Sequence, residues 1–184
     1  NQLYRQWGWK EPRTCLFLEL YRELLPNSKY LVIVRDYAAV VYSLLKRDFA
    51  EYEEKYLHRK KLQRFLWLYF KRRKTSRKFF KAHAEDYLKV YIEYNQHILH
   101  TLKELASEDY MVVNYSLLEK SDKEVFSFLT GKWHFKLQYH EFNEVYKKNL
   151  MSKAFNVDTY IEDKELIDRA KNITEGLKTY ITIH

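Results

Sequence analysis

Lys29 to Asp48 reads KYLVIVRDYAAVVYSLLKRD. Its first part is a continuous apolar run rich in β-branched residues, which suits a strand covered on both faces, as in a parallel sheet. The period then changes. Val40, Val41, Leu44 and Leu45 recur at helical spacing, and Asp36 stands where a helix N-cap accepts a backbone N–H. Arg35 sits between strand and helix, at the carboxyl end where parallel sheets bind their ligands. Asp36, Ala39 and Ser43 fall on one side of the helix that follows. A guanidinium stays charged at any relevant pH and presents a planar fork that matches two phosphate oxygens. A phosphate beside Arg35 would take the Ser43 hydroxyl, with the small Ala39 leaving room. The plainer reading is a surface arginine at a strand end and a serine tolerated on a helix flank, and spacing alone does not choose between them.

The pattern extends in both directions. Upstream, LYRQWGWK reads as a short extended piece ending at Lys10, and TCLFLELYRELL, from Thr14, carries a helical stripe that Pro26 stops. Downstream, the section from about Glu51 to Leu105 reads as wholly helical, with Leu88, Tyr91, Ile92, Ile98, Leu99 and Leu102 near one face. YMVVNY is a second apolar strand. Val125, Phe126, Phe128 and Leu129 follow on a short helix ending at Gly131, and EDKELIDRAKNITEGLKTYI reads as a final helix. Strands separated by helices imply parallel pairing with right-handed crossovers. The expected fold is therefore α/β, a central parallel sheet flanked by helices, with a helix-rich middle section. With only 3 Gly and 2 Pro, and no repeat or linker, residues 1–184 read as a single domain.

Composition narrows the function classes. The 46% hydrophobic content is enough for a genuine core, which argues against disorder. No apolar run reaches bilayer-spanning length, and the lone Cys15, flanked by Leu16, Phe17 and Leu18, reads as a buried thiol in a reducing, cytoplasmic setting rather than part of a disulfide framework. Against 25 acidic residues stand 33 Lys and Arg, a formal net charge of +8, so an anionic partner is expected. His97 and His100 are three apart on a helix, but no nearby Cys, Asp or Glu completes a ligand set, and no metal is expected.

The segment WGWKEPRTCLFLELYRELLPNSKYLVIVRDYAAVVYSLLKRD resembles the sulfotransferases that use 3′-phosphoadenosine 5′-phosphosulfate (PAPS). It resembles especially the bacterial members, which have a W-x-x-K-[DE]-P-R segment before an R-D-P-x-x-x-x-x-S segment. The similarity continues in YIEYNQHI and in MVVNYSLLEK, which looks like the family's strand followed by Y-E-D-L, and runs from about Trp7 to Gly131. The resemblance implies a P-loop-like sulfotransferase architecture and transfer of a sulfuryl group from PAPS to a hydroxyl or amine acceptor, a glycan among the possibilities. It gives Arg35 and Ser43 the 3′-phosphate of the cofactor, places Tyr115 near the adenine, and puts Lys10 opposite the transferred group.

Several positions depart from the family. Tyr37 replaces the proline after R-D, a change expected to cost little function because proline at the first helical position mainly presets φ. Ser116 replaces the acidic residue of Y-E-D-L, and no glycine-rich segment stands near the end, where Lys147 and Lys148 are the only substitutes offered. The T-x-R-S-G-T-like loop that grips the 5′-phosphosulfate has no counterpart in the 184 residues. Backbone donors at a helix start are the usual device for a terminal phosphate. The loop is expected upstream of Asn1, which would make the domain incomplete at its N-terminus.

Sulfuryl transfer resembles phosphoryl transfer: an acceptor oxygen attacks in line and the leaving phosphate must have its charge stabilised. Lys10 is the candidate cation and Glu11 the candidate base. Glu11 has a plainer alternative, an ion pair with Arg13 or a helix start.

KYLHRKKLQRFLWLYFKRRKTSRKFFK, Lys55 to Lys81, holds no acidic residue. One reading is a helix whose Leu62, Phe65, Leu66 and Tyr69 face the domain while its cations are solvated. Another is a rim that recruits an anionic acceptor, or an interfacial helix with Trp67, Phe70 and Phe79 among its cations, peripheral to a membrane. The rival to an enzyme is then a non-catalytic basic helical module docking on nucleic acid or anionic membrane. No zinc-finger spacing or RNP-like strand is present, so nucleic acid is not expected.

Overall fold

The computed structural model describes residues 6–145 and 155–183. A 3-10 turn at Pro12–Phe17 leads into α1 (Leu18–Leu24), β1 (Tyr30–Val34), α2 (Tyr37–Leu57), α3 (Lys61–Leu66) and α4 (Arg72–Glu104). Then come β2 (Tyr110–Asn114), α5 (Leu118–Ser127), α6 (Phe142–Val145), α7 (Lys164–Lys178) and β3 (Ile181–Ile183). The fold is mixed α/β with one three-stranded parallel sheet, ordered β1-β2-β3. Residues divide into two compact units, the first holding 6–35, 94–145 and 173–183, the second 36–93 and 155–172.

In the first unit β2 is central, and Met111, Val112 and Val113 are fully buried. Because strand side chains alternate, Val112 packs with Val34, Leu102 and Leu177 on one face, whereas Met111 and Val113 pack with Trp133 and Ile183 on the other. Ile98 and Leu99 close the first cluster, Leu118, Val125 and Phe128 the second. β1 pairs with β2 from Tyr30↔Tyr110 to Val34↔Asn114.

β1 is not covered on both faces as its apolar run suggested. Among the described residues it is the outer strand, and Leu31 and Ile33 remain 44% and 50% exposed, because the cluster around Trp133 covers β2 and β3 without reaching them. The C-terminal reading also needs correction. The last helix stops at Lys178, and Ile181–Ile183 form the third strand beside Val112 and Val113. The stretch 6–10 carries no strand pairing, so Lys10 is not at a strand end. Aromatic contacts anchor this stretch instead: Trp7 stacks on Trp9 at 5.3 Å, Trp9 meets Tyr21 at 5.0 Å, and Trp9 Nε1 donates to Thr14 Oγ1 at 3.0 Å.

In the second unit Asp36 caps α2, its carboxylate accepting from Ala38 N at 2.8 Å. Val41, Leu45, Phe49 and Glu53, each four residues apart, are buried along α2, while Val40 and Leu44 are half-buried. Rings fill the space beside them: Phe80 meets Phe49, Tyr42, Phe155 and Tyr160 edge-on. The helical run expected from Glu51 to Leu105 is interrupted at residues 58–60, and residues 67–71 wind as a wider π turn.

The inward face assigned to the basic segment is not the one observed. Leu62, Phe65, Leu66 and Tyr69 are exposed, and Trp67 is the residue that turns inward. Phe79 is half-buried against Phe49, so of the three aromatics expected among surface cations only Phe70 stands in the open. Among the described residues no helix is long and apolar enough to cross a membrane. Lys147 and Lys148 lie outside the described residues.

Candidate functional site

Parallel pairing in register brings the carboxyl ends of β1 and β2 side by side, so the residues just after Val34 and Asn114 are neighbours. These residues are Arg35 and Tyr115. The Arg35 guanidinium carbon lies 4.9 Å from the centre of the Tyr115 ring, a cation–π contact between half-buried side chains. The ring attracts the guanidinium through its charge, whereas a phosphate is gripped along the edge of N–H donors.

Tyr115 is itself held by local geometry. Asn114 accepts from Ser116 N at 3.0 Å and from Ser116 Oγ at 2.8 Å, capping the 3-10 turn on which Tyr115 stands. Ser116, where the resembling family has an acidic residue, serves as a partner of this cap. Nothing in the composition marked Asn114, although an Asn followed two residues later by Ser is a known turn-forming pair.

The remaining candidates are placed as follows. Ser43 belongs to the second unit, half-buried on α2, one turn after Ala39. Lys10 is exposed on the lead-in segment. Glu11 caps the 3-10 turn at Pro12–Phe17, accepting from Arg13 N at 3.2 Å and Arg13 Nε at 3.0 Å. These hydrogen bonds, with the charges of Arg13 and Lys10, hold its carboxyl below the ordinary range. The geometry shows Glu11 as the cap of this turn and the partner of Arg13. Among the described residues no group of three or more His, Cys, Asp or Glu is placed to hold a metal ion.

A further feature belongs to the second unit. Tyr69, Phe70, Arg73, Lys74, Arg77 and Lys78 line an open depression of about 420 Å³. Their spacing of four residues was visible in the sequence, but the face they occupy was not.

Fold and geometry together define a mixed α/β protein with an arginine against a tyrosine ring at the carboxyl end of a parallel sheet. The chain matches no family model, no curated protein and no solved structure.

Proposed function

We propose that the chain is a sulfotransferase catalytic domain of P-loop-like architecture, using PAPS as sulfate donor and a hydroxyl or amine acceptor such as a glycan. The observation that carries this reading is the Arg35–Tyr115 pair at the ends of adjacent parallel strands. A planar cation beside an aromatic ring is the chemistry a phosphorylated nucleoside requires: an edge of N–H donors for the phosphate and a flat apolar surface for the base.

PAPS would supply an activated sulfuryl group: a bond from the acceptor oxygen or nitrogen to sulfur would form as the bond to the 5′-phosphate oxygen breaks, adenosine 3′,5′-bisphosphate would leave, and the acceptor proton would pass to solvent. Arg35 takes the 3′-phosphate along its guanidinium edge, and Tyr115 lies beside the adenine. Ser43 adds a hydroxyl to the same phosphate, a role that rests on the resemblance. Lys10 offsets charge on the departing phosphate. This reading gives Arg35, Ser43 and Tyr115 to the 3′-phosphoadenosine half of the donor. No T-x-R-S-G-T-like string in the 184 residues fits the other half.

The test follows from that division. Adenosine 3′,5′-bisphosphate raises the Tm of the protein, and Arg35→Ala removes the shift. A wild-type protein whose Tm ignores the nucleotide refutes the reading.

A further inference from the structure

We infer that the exposed face of α3 and the start of α4 docks on the surface of an anionic phospholipid bilayer. Single exposed apolar residues are ordinary on any protein, but a contiguous set is not. Here Leu62, Tyr69 and Phe70 are each at least 70% exposed, and Phe65 lies 4.5 Å from Tyr69 and 6.4 Å from Phe70, ring centre to ring centre. Leu66 and Leu68 are exposed beside them.

The helix cannot roll to hide this patch. Trp67 is 4% exposed, stacked on Tyr56 at 3.9 Å, and its Nε1 donates to the buried Glu53 carboxylate at 2.8 Å. Arg72 binds the same carboxylate through Nε at 2.6 Å and Nη2 at 3.1 Å. Two anchors on one acid fix which side faces outward.

Cations continue the same face. Arg73 and Arg77 follow Tyr69, and Lys74 and Lys78 follow Phe70, at intervals of one helical turn, and all six line the shallow depression. The segment from Lys55 to Lys81 holds no acidic residue of its own. A cluster of aromatic and aliphatic side chains beside rows of Lys and Arg is the composition of a helix lying in the interface of an anionic membrane, with the rings among the acyl chains and the cations at the phosphates. Nucleic acid would satisfy the cations but offers nothing to Leu62, Leu66 and Leu68. A second copy of the chain would bring one basic patch against another, in a protein already at +8.

Vesicle co-sedimentation tests the inference. The protein is expected to pellet with vesicles of equimolar phosphatidylcholine and phosphatidylglycerol, to ignore phosphatidylcholine alone, and to release as salt is raised. Phe65→Ser, Tyr69→Ser and Phe70→Ser together abolish binding with Tm unchanged, since all three side chains are solvent-exposed. Arg73→Gln with Lys74→Gln weakens it by about tenfold or more. Equal binding to neutral vesicles, or no binding to anionic ones, overturns the proposal. So does duplex DNA or RNA binding that is lost with the cations and indifferent to the serine changes, or a dimer in sedimentation velocity that the serine changes dissociate. The face lies within the second unit, so failure here leaves the Arg35–Tyr115 reading intact.

Discussion

Tyr37, which stands where the resembling sulfotransferases have proline, donates its hydroxyl to the Asp158 carboxylate at 2.9 Å and 3.1 Å from its two oxygens. The ring is buried and meets Tyr91 edge-on at 6.3 Å. Burial first, then the Asp158 bond and its charge, push the phenol far above its ordinary value, so it remains a proton donor throughout the accessible pH range. The substitution therefore makes a packing and hydrogen-bonding contribution that proline could not. Tyr37→Phe should cost about 1.5–3 kcal/mol, the usual worth of a hydrogen bond to a charged partner. Tyr37→Pro keeps a backbone suited to the first helical position but removes the ring, and should cost about 3–5 kcal/mol. Urea denaturation measures both, and equal stability of the Phe variant and wild type would rule out a contribution from the hydroxyl.

Glu53 anchors the second unit in a pH-dependent way. Burial pushes its carboxyl up, but hydrogen bonds from Arg72 and Trp67 and the Arg72 charge more than offset this, leaving it below its ordinary value. With the folded value depressed, the unfolded chain takes up the proton first as pH falls. The stabilisation is thus complete above the ordinary carboxylate range of about 4.3 and is lost as pH drops through the folded value. Glu53→Gln should lower stability by about 2 kcal/mol at neutral pH and flatten the acid side of the stability profile. Urea midpoints followed from neutral pH to about pH 3, below the ordinary carboxylate range, test this. Parallel decline of variant and wild type would assign the acid sensitivity to other groups.

Parts of this architecture were legible because they depend on local chemistry. LVIV and MVV are uninterrupted β-branched or apolar runs, and Asp36 caps the helix that follows the first. β3 was missed because Ile181, Thr182 and Ile183 are too few to show a period and follow directly on a strongly helical stretch. The exposure of Leu31 and Ile33 depends on which residues lie over an outer strand, which is a tertiary property. In the basic segment Leu62, Phe65, Leu66 and Tyr69 do share a helical face, but Trp67, on another side of the helix, is the residue held inward by Glu53 and Tyr56, a tertiary contact that periodicity does not show. At the candidate site, the positions of Arg35 and Tyr115 could each be read, but their contact required the register of β1 on β2.

Cys15 offers a direct check on the lead-in segment. Its thiol is buried and donates to the Pro12 carbonyl at 3.0 Å, and burial pushes it above its ordinary value. Thiolate is the reactive form, so alkylation by iodoacetamide at neutral pH should be at least about tenfold slower in the folded protein than in urea. Equal rates would mean that the Pro12–Phe17 turn opens readily.

The Arg35–Tyr115 contact separates two ways of binding an anion. If charge alone mattered, Arg35→Lys would bind adenosine 3′,5′-bisphosphate as well as wild type. If the planar fork and its ring contact matter, the lysine variant loses the two-point grip on phosphate, and affinity should fall by about tenfold. Tyr115→Phe keeps a ring beneath the guanidinium and should bind nearly as well as wild type. Tyr115→Ala removes a contact worth about 0.5–1 kcal/mol and should weaken binding by about two- to fivefold through Arg35 alone, more if adenine uses the same ring. Isothermal titration of the four proteins resolves these differences, and an unchanged affinity in Arg35→Lys together with Tyr115→Ala would show that the nucleotide does not use the ends of these two strands.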